Sequence, residues 1–259
     1  MHINYFERGY PLSYAFDRMA AHGFDGIELR GFSREGLEDD EYLDLVQEEI
    51  DRAGDTHVLM SLNADFMKSD PDAREQELER WSNILQRACD MGVKTFNAFT
   101  GGLTIQGIEP LAFERHGSGC ATADHWAWAV DAYTALGVIA EERGVKIAFE
   151  THNNYLHDLA TPARKLVDMI GSPAVGINLD MGNIVLNDNG ESLEEALDIL
   201  EGKLHYLHIK NMFLPRGGGF IPVHISDGVI DNRAMFRILM DQGYDGPIGL
   251  EAPRQGDRE

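Results

Sequence analysis

Four times in this chain a helix-like stretch ends on a glycine and passes at once into a short apolar run. The phrases are AHGFDGIEL around Gly23, DMGVKTFNAF around Gly92, ERGVKIAFE around Gly144 and DQGYDGPIGLE around Gly243. A glycine can take the left-handed conformation that closes a helix, and the apolar run after it has strand composition. Repetition of helix, glycine, strand builds βα units and excludes a meander of hairpins.

Strand-like runs fall at 2–5, 26–30, 56–62, 94–99, 145–150, 174–180, 204–210 and 247–251. Helical stretches lie between them. The third has Ser69 or Asp70 as cap and Pro71 in its first turn, with Leu78, Trp81, Leu85 and Ala88 as its buried stripe. The sixth opens on a capping box, Ser192 with Glu195, and the seventh on Asp231. Residues 100–123 have no periodicity, and an aperiodic loop of that length is usually kept to cover a site. Eight strands with seven clear helices predict a single (β/α)8 barrel over 1–259, its eighth helix short or missing. A doubly wound sheet is the rival, but no Gly-rich phosphate motif opens a helix here.

The chain has 259 residues, 43% of them hydrophobic, enough for a sizeable core. Its net charge of -22 argues against nucleic acid as a partner, since phosphate backbones need a basic footprint. Two cysteines, Cys89 and Cys120, make no disulfide framework. No run reaches the ~18 apolar residues of a membrane span, and no secretory leader is visible. The expectation is a cytoplasmic protein, no membrane partner, and room for a homo-oligomer.

Four predicted strands deliver a metal-type ligand at their C-terminal tips. KIAFE ends on Glu150, INLD on Asp180, YLHIK carries His208, and IGLE ends on Glu251. A carboxylate at the end of a buried strand is costly unless a cation meets it. Any one of these could cap a helix or make a surface ion pair. All four in register on consecutive strands fit the active face of a barrel, where one ion could sit among them. Three oxygen donors and one nitrogen suit Mn²⁺ best, with Mg²⁺, Co²⁺ or Zn²⁺ also accommodated.

At IAFETH, INLDMGN, YLHIK and IGLE the chain resembles the xylose-isomerase-like barrels, the sugar phosphate isomerase/epimerase superfamily. The resemblance runs from GFDGIELR to YDGPIGLE. It implies that Glu150, Asp180, His208 and Glu251 bind one divalent metal. In the epimerase branch it implies that Glu150 and Glu251 are the proton-transfer pair. The activity implied is isomerisation or epimerisation of a sugar, ketose or inositol-like hydroxy ketone through an enediolate. A lyase removing water from a keto-cyclitol or a dehydroshikimate-like compound is the alternative, because it begins with the same α-proton removal.

Three residues are expected to touch substrate. His152, two after Glu150, could bond a substrate oxygen or support the ligands from behind. Lys210 could hold a substrate oxygen or pair with Glu150 or Asp180. Asn183 stands where many relatives have His, and an amide can bond substrate but cannot act as a base. Glu28 and Arg30 are expected in structural ion pairs within the barrel, and Asn63 and Asn97, near strand tips, to line the pocket. Trp126 and Trp128 are expected to pack helices, and His116 and His224 to be solvated loop residues. A DNA-repair endonuclease on this scaffold would need a metal cluster with more histidines and a basic surface. A non-catalytic sugar-binding barrel would leave a full ligand set without purpose.

Overall fold

A computed structural model describes residues 1–3, 9–54, 56–216 and 218–251. In chain order the elements are α1 (Leu12–Ala21), β1 (Gly26–Arg30), α2 (Asp39–Ala53), β2 (His57–Leu62), α3 (Pro71–Asp90), β3 (Thr95–Ala98) and α4 (Ala123–Arg143). They continue with β4 (Lys146–Glu150), α5 (Ala160–Ile170), β5 (Val175–Asp180), α6 (Met181–Ile184), α7 (Leu193–Ile199) and β6 (Leu204–Ile209). The last are β7 (Met212–Phe213), β8 (Ile221–Pro222), α8 (Asn232–Asp241) and β9 (Ile248–Leu250).

Seven strands pair in parallel in the order β1-β2-β3-β4-β5-β6-β9. Between the two outer strands lies the start of the chain. The Glu28 amide donates to the Met1 carbonyl at 2.8 Å, and the His2 amide donates to the Leu250 carbonyl at 3.3 Å. His2 also bridges Glu28 in parallel. Backbone bonds therefore run all the way round, and the architecture is the expected TIM barrel with flanking helices. Asn4 and Tyr5, the rest of the expected first strand, lie outside the described residues.

All four phrase glycines have positive φ: 72° at Gly23, 93° at Gly92, 63° at Gly144 and 74° at Gly243. Each helix stops there because the next residue can turn the chain back toward the barrel. Asp70 accepts from the Asp72 amide at 3.1 Å as the cap of α3. Ser192 and Glu195 form the reciprocal box at α7.

The apolar core lies between strands and helices. In β1, Ile27 and Leu29 are fully buried on that side. The alternate residues line the barrel interior, and many are polar: Glu28, Ser61, Asn97, Asn178, Tyr206 and His208 are all buried. Several of them pair with one another. Asn97 Nδ2 donates to Glu28 at 3.0 Å, Asn178 Nδ2 to Asn97 Oδ1 at 3.1 Å, and the Tyr206 hydroxyl to Glu28 at 2.8 Å.

Three short elements were not expected. One turn of helix, α6, follows β5 directly, and a small antiparallel pair, β7 with β8, projects beyond β6. The long loop after β3 is braced rather than loose. His116, expected to be solvated, is 2% exposed. Its Nδ1 accepts from the Ile105 amide at 3.1 Å, and its Nε2 faces the Glu109 carbonyl at 3.1 Å. A loop of this length has backbone groups to satisfy, and a buried imidazole satisfies two of them. His224 is exposed, as expected, beside Ser226.

Candidate metal centre

The four strand-end groups do converge. Glu150, Asp180, His208 and Glu251 each offer one ligand atom, and these atoms all lie within 4.8 Å of one another. The register explains it. A shift between β5 and β6 at Ile177/Asn178 sets Asp180 beside His208. Glu150 stands next to Asn178 on the neighbouring strand. The Glu251 amide donates to the Ile209 carbonyl at 3.1 Å, which holds Glu251 at the tip beside β6.

His208 is the hinge of the cluster. Its Nε2 lies 2.7 Å from Glu28 Oε2. Its Nδ1 faces Glu150 Oε2 at 3.6 Å and Asp180 Oδ2 at 3.8 Å. That nitrogen is buried and has no hydrogen-bond partner. A buried ring nitrogen aimed at carboxylates beyond hydrogen-bond reach is what a metal-binding imidazole requires. Three carboxylates and one imidazole are a donor set for a divalent ion.

Lys210 lies inside the same group. Its Nζ is 2.8 Å from Asp180 Oδ2 and 2.7 Å from Glu251 Oε2, and donates to Asn183 Oδ1 at 3.0 Å. The pairing with Asp180 weighed from the sequence is present, with Glu251 as the second partner. Asn183 sits in α6, whose cap is Asp180 itself. Its amide nitrogen donates to Glu150 Oε1 at 3.1 Å and to the Thr151 carbonyl at 2.9 Å. Asn183 thus ties β4 to α6 and Lys210.

The charges push on one another. Burial works against ionising Glu150, but His208, then His152 and Lys210, holds its carboxyl well below the ordinary value. Burial lifts Asp180 to about 7, only partly offset by Lys210. Burial pushes Glu251 up, but Lys210 together with His2 and His208 draws it down to about 2. Burial disfavours the charged forms of His208 and Lys210 also. The surrounding carboxylates reverse that, Glu28 and Glu150 for His208 and Asp180 and Glu251 for Lys210, and both groups hold their protons more tightly than usual.

His152 stands apart from the cluster. The strand stops at Glu150, so the alternation that would have aligned the two side chains ends there. His152 Nδ1 donates to the Asn153 carbonyl at 2.9 Å, and the ring meets Phe99 and Tyr155 edge-on at 5.8 and 5.2 Å. Trp126 and Trp128 of α4 are half-buried, under the Lys165 ammonium at 3.8 Å and the Arg74 guanidinium at 4.4 Å, and Trp126 packs against the core. Arg30 lies 5.9 Å above the Phe32 ring.

The sequence reading gave one further contributor without its partner and missed another. Glu28 was expected in a structural ion pair, and its partner proves to be the ring of His208. His157 is fully buried, and its Nδ1 donates to the Glu150 carbonyl. Burial lowers its pKa to about 4, so it is a neutral prop for the backbone of Glu150. A second histidine seven residues after Glu150 was the available signal.

Among described residues no helix is long and apolar enough to cross a membrane. Among curated proteins the chain is similar to the inosose dehydratase of Clostridium perfringens (strain ATCC 13124), 27% identical over 180 residues. That stretch is 62% of this chain and 58% of the relative, so the match spans less than two thirds of the relative's length. Among solved structures it is similar to D-psicose 3-epimerase with D-tagatose from Clostridium cellulolyticum H10. That match has a TM-score of 0.75 and 17% identity, and covers 96% of this chain and 83% of the other. A xylose isomerase-like TIM barrel protein from Mycobacterium smegmatis in complex with magnesium matches with a TM-score of 0.72 and 19% identity, covering 95% and 83%. The profile of the family described as xylose isomerase-like TIM barrel fits residues 16–259. With that match over nearly its whole length, the chain belongs to the xylose isomerase-like TIM barrel family.

Proposed function

We propose that this protein is a divalent-metal-dependent isomerase or epimerase that removes the α-proton of a polyhydroxy ketone, a sugar or an inositol-like ring. The observation that carries the reading is the unpartnered His208 Nδ1 set among Glu150, Asp180 and Glu251. Those four would hold the ion, with Mn²⁺ suited to this mix of oxygen and nitrogen and Mg²⁺, Co²⁺ or Zn²⁺ as substitutes. When bound, such an ion supplies Lewis-acid polarisation of a ketone and its neighbouring hydroxyl.

The chain's own residues do the rest. Glu150 and Glu251 stand at the two ends of the run β4-β5-β6-β9, so they flank whatever lies between. One takes the α-proton and the other returns it to the opposite face or to the neighbouring carbon. Lys210 and Asn183 would hold a substrate oxygen, and the Lys210 charge would oppose the negative charge that develops on it. His152, at the rim, would bond a more distant hydroxyl.

Dehydration is the second reading, and two observations favour it. Lys210 sets a fixed positive charge within the cluster, and the sequence relatives are inosose dehydratases. On this route one carboxylate takes the α-proton and passes it to the β-hydroxyl, which leaves as water, while the Lys210 charge opposes the negative charge on the ketone oxygen.

Proton NMR in deuterium oxide tests both. Metal-loaded protein with a panel of ketoses and inososes should exchange the α-proton of at least one compound. Glu150→Gln and Glu251→Gln should each slow that exchange at least ~100-fold. A new epimer or isomer supports the first outcome, and an enone absorbance the second. Metal-loaded protein that exchanges no α-proton across the panel ends the proposal.

A further inference from the structure

We propose that Glu28, which is not one of the four ligands, is a positioning residue that decides which nitrogen of His208 meets the metal. This rests on the reading of His208 as a ligand. A neutral imidazole has one N–H and one lone pair, and the partner of the N–H decides which nitrogen is left to coordinate. Glu28 Oε2 lies 2.7 Å from Nε2 and takes that N–H. Nδ1 is then the free donor, and it is Nδ1 that faces Glu150 and Asp180.

Glu28 is itself immobilised. It is 1% exposed, and both of its oxygens are engaged. Oε1 accepts from Asn97 Nδ2 at 3.0 Å, and Oε2 accepts from the Tyr206 hydroxyl at 2.8 Å as well as facing His208. The Tyr206 hydroxyl reaches it only because residue 249 lacks a side chain. A Cβ on Gly249 would overlap the hydroxyl oxygen and press on His208 Cδ2 at 3.0 Å. The imidazole is also gripped by ring contacts, Tyr206 at 4.8 Å and His2 at 5.5 Å, both edge-on. Carboxylate, hydroxyl, amide and absent methyl together leave the ring one orientation.

His2, Glu28 and His208 also lie close enough together to hold an ion of their own. Such an ion would have to take Nε2 and so displace the hydrogen bond between His208 and Glu28. The existing bonds favour the brace, and stoichiometry separates the two arrangements.

The test uses the full chain, stripped with chelator and titrated with Mn²⁺ by calorimetry. Wild type should take up one equivalent. Glu28→Gln should bind ~10–100-fold more weakly, the range for losing such a supporting partner. Tyr206→Phe and Gly249→Ala should weaken binding in the same direction. Nitrogen-15 NMR of the Zn²⁺-loaded protein reads what a merely structural role would leave alone. In wild type His208 should coordinate through Nδ1 alone, and in Glu28→Gln through a mixture. Wild-type affinity together with Nδ1 coordination in Glu28→Gln overturns the inference and leaves the ligand reading standing. Uptake of two equivalents by wild type, falling to one in Glu28→Gln, overturns it in favour of a second ion. No uptake by wild type removes the ligand reading and this inference with it.

Discussion

His208 keeps its proton to unusually high pH because Glu28 and Glu150 oppose the effect of burial. Asp180 beside it is lifted to about 7 by its own burial. Both groups must give up protons before they can act as ligands, so protons and metal compete. Both shifts are upward, and the competition weakens as pH rises. Mn²⁺ affinity is therefore expected to increase from pH 6 to pH 8, by up to about tenfold per pH unit for each proton released. Calorimetry in buffers of different ionisation enthalpy should show that release directly, and affinity independent of pH would contradict it. Glu150, Asp180, His208 and Glu251 were legible in the sequence because each interrupts or ends an apolar run with a polar group. Glu28 was legible only as half of a structural ion pair and Asn97 only as a pocket-lining residue, and Tyr206 was not legible at all. They sit within strands, and only the closed barrel shows that their side chains meet across its interior. His152 misled for the opposite reason, since two-residue alternation holds only while the strand lasts.

At the scale of elements, legibility followed length and chemistry. The cap of α3 and the box of α7 depend on side chains adjacent in sequence, so they can be seen without a fold. Replacing Asp70 with Ala is expected to cost about 1 kcal/mol of stability. Urea denaturation measures it, and Mn²⁺ affinity should stay unchanged because α3 supplies no ligand. A loss in affinity as large as that in stability would mean that α3 steers the site. The single turn of α6 is too short for any periodicity to mark it, and two-residue strands such as β7 and β8 carry no pattern at all. The shift between β5 and β6 is a property of two paired strands and is hidden from either one alone. It is nonetheless what places Asp180 opposite His208.

Over the whole molecule a net charge of -22 works against compaction, because like charges are held closer in the fold than in the open chain. Exposed pairs such as Arg80 with Asp39 and Arg87 with Asp40 offset only a little of this. Raising sodium chloride from about 0.05 M to about 1 M shortens the Debye length from roughly 14 Å to 3 Å. The melting temperature is expected to rise by roughly 5 °C, as about 2 kcal/mol of relieved repulsion would give at this size. A falling melting temperature would show that the surface pairs matter more than the net charge. The barrel also divides its labour unevenly. Staves β4, β5, β6 and β9 carry the four groups that would grasp an ion, whereas β1 and β3 carry Glu28 and Asn97, which steady that grasp. Neither arc is sufficient by itself. Loosening of the β1 and β3 arc alone would weaken the hold on a cation while every direct donor kept its place, so bound metal would double as a sensor of the far wall's integrity.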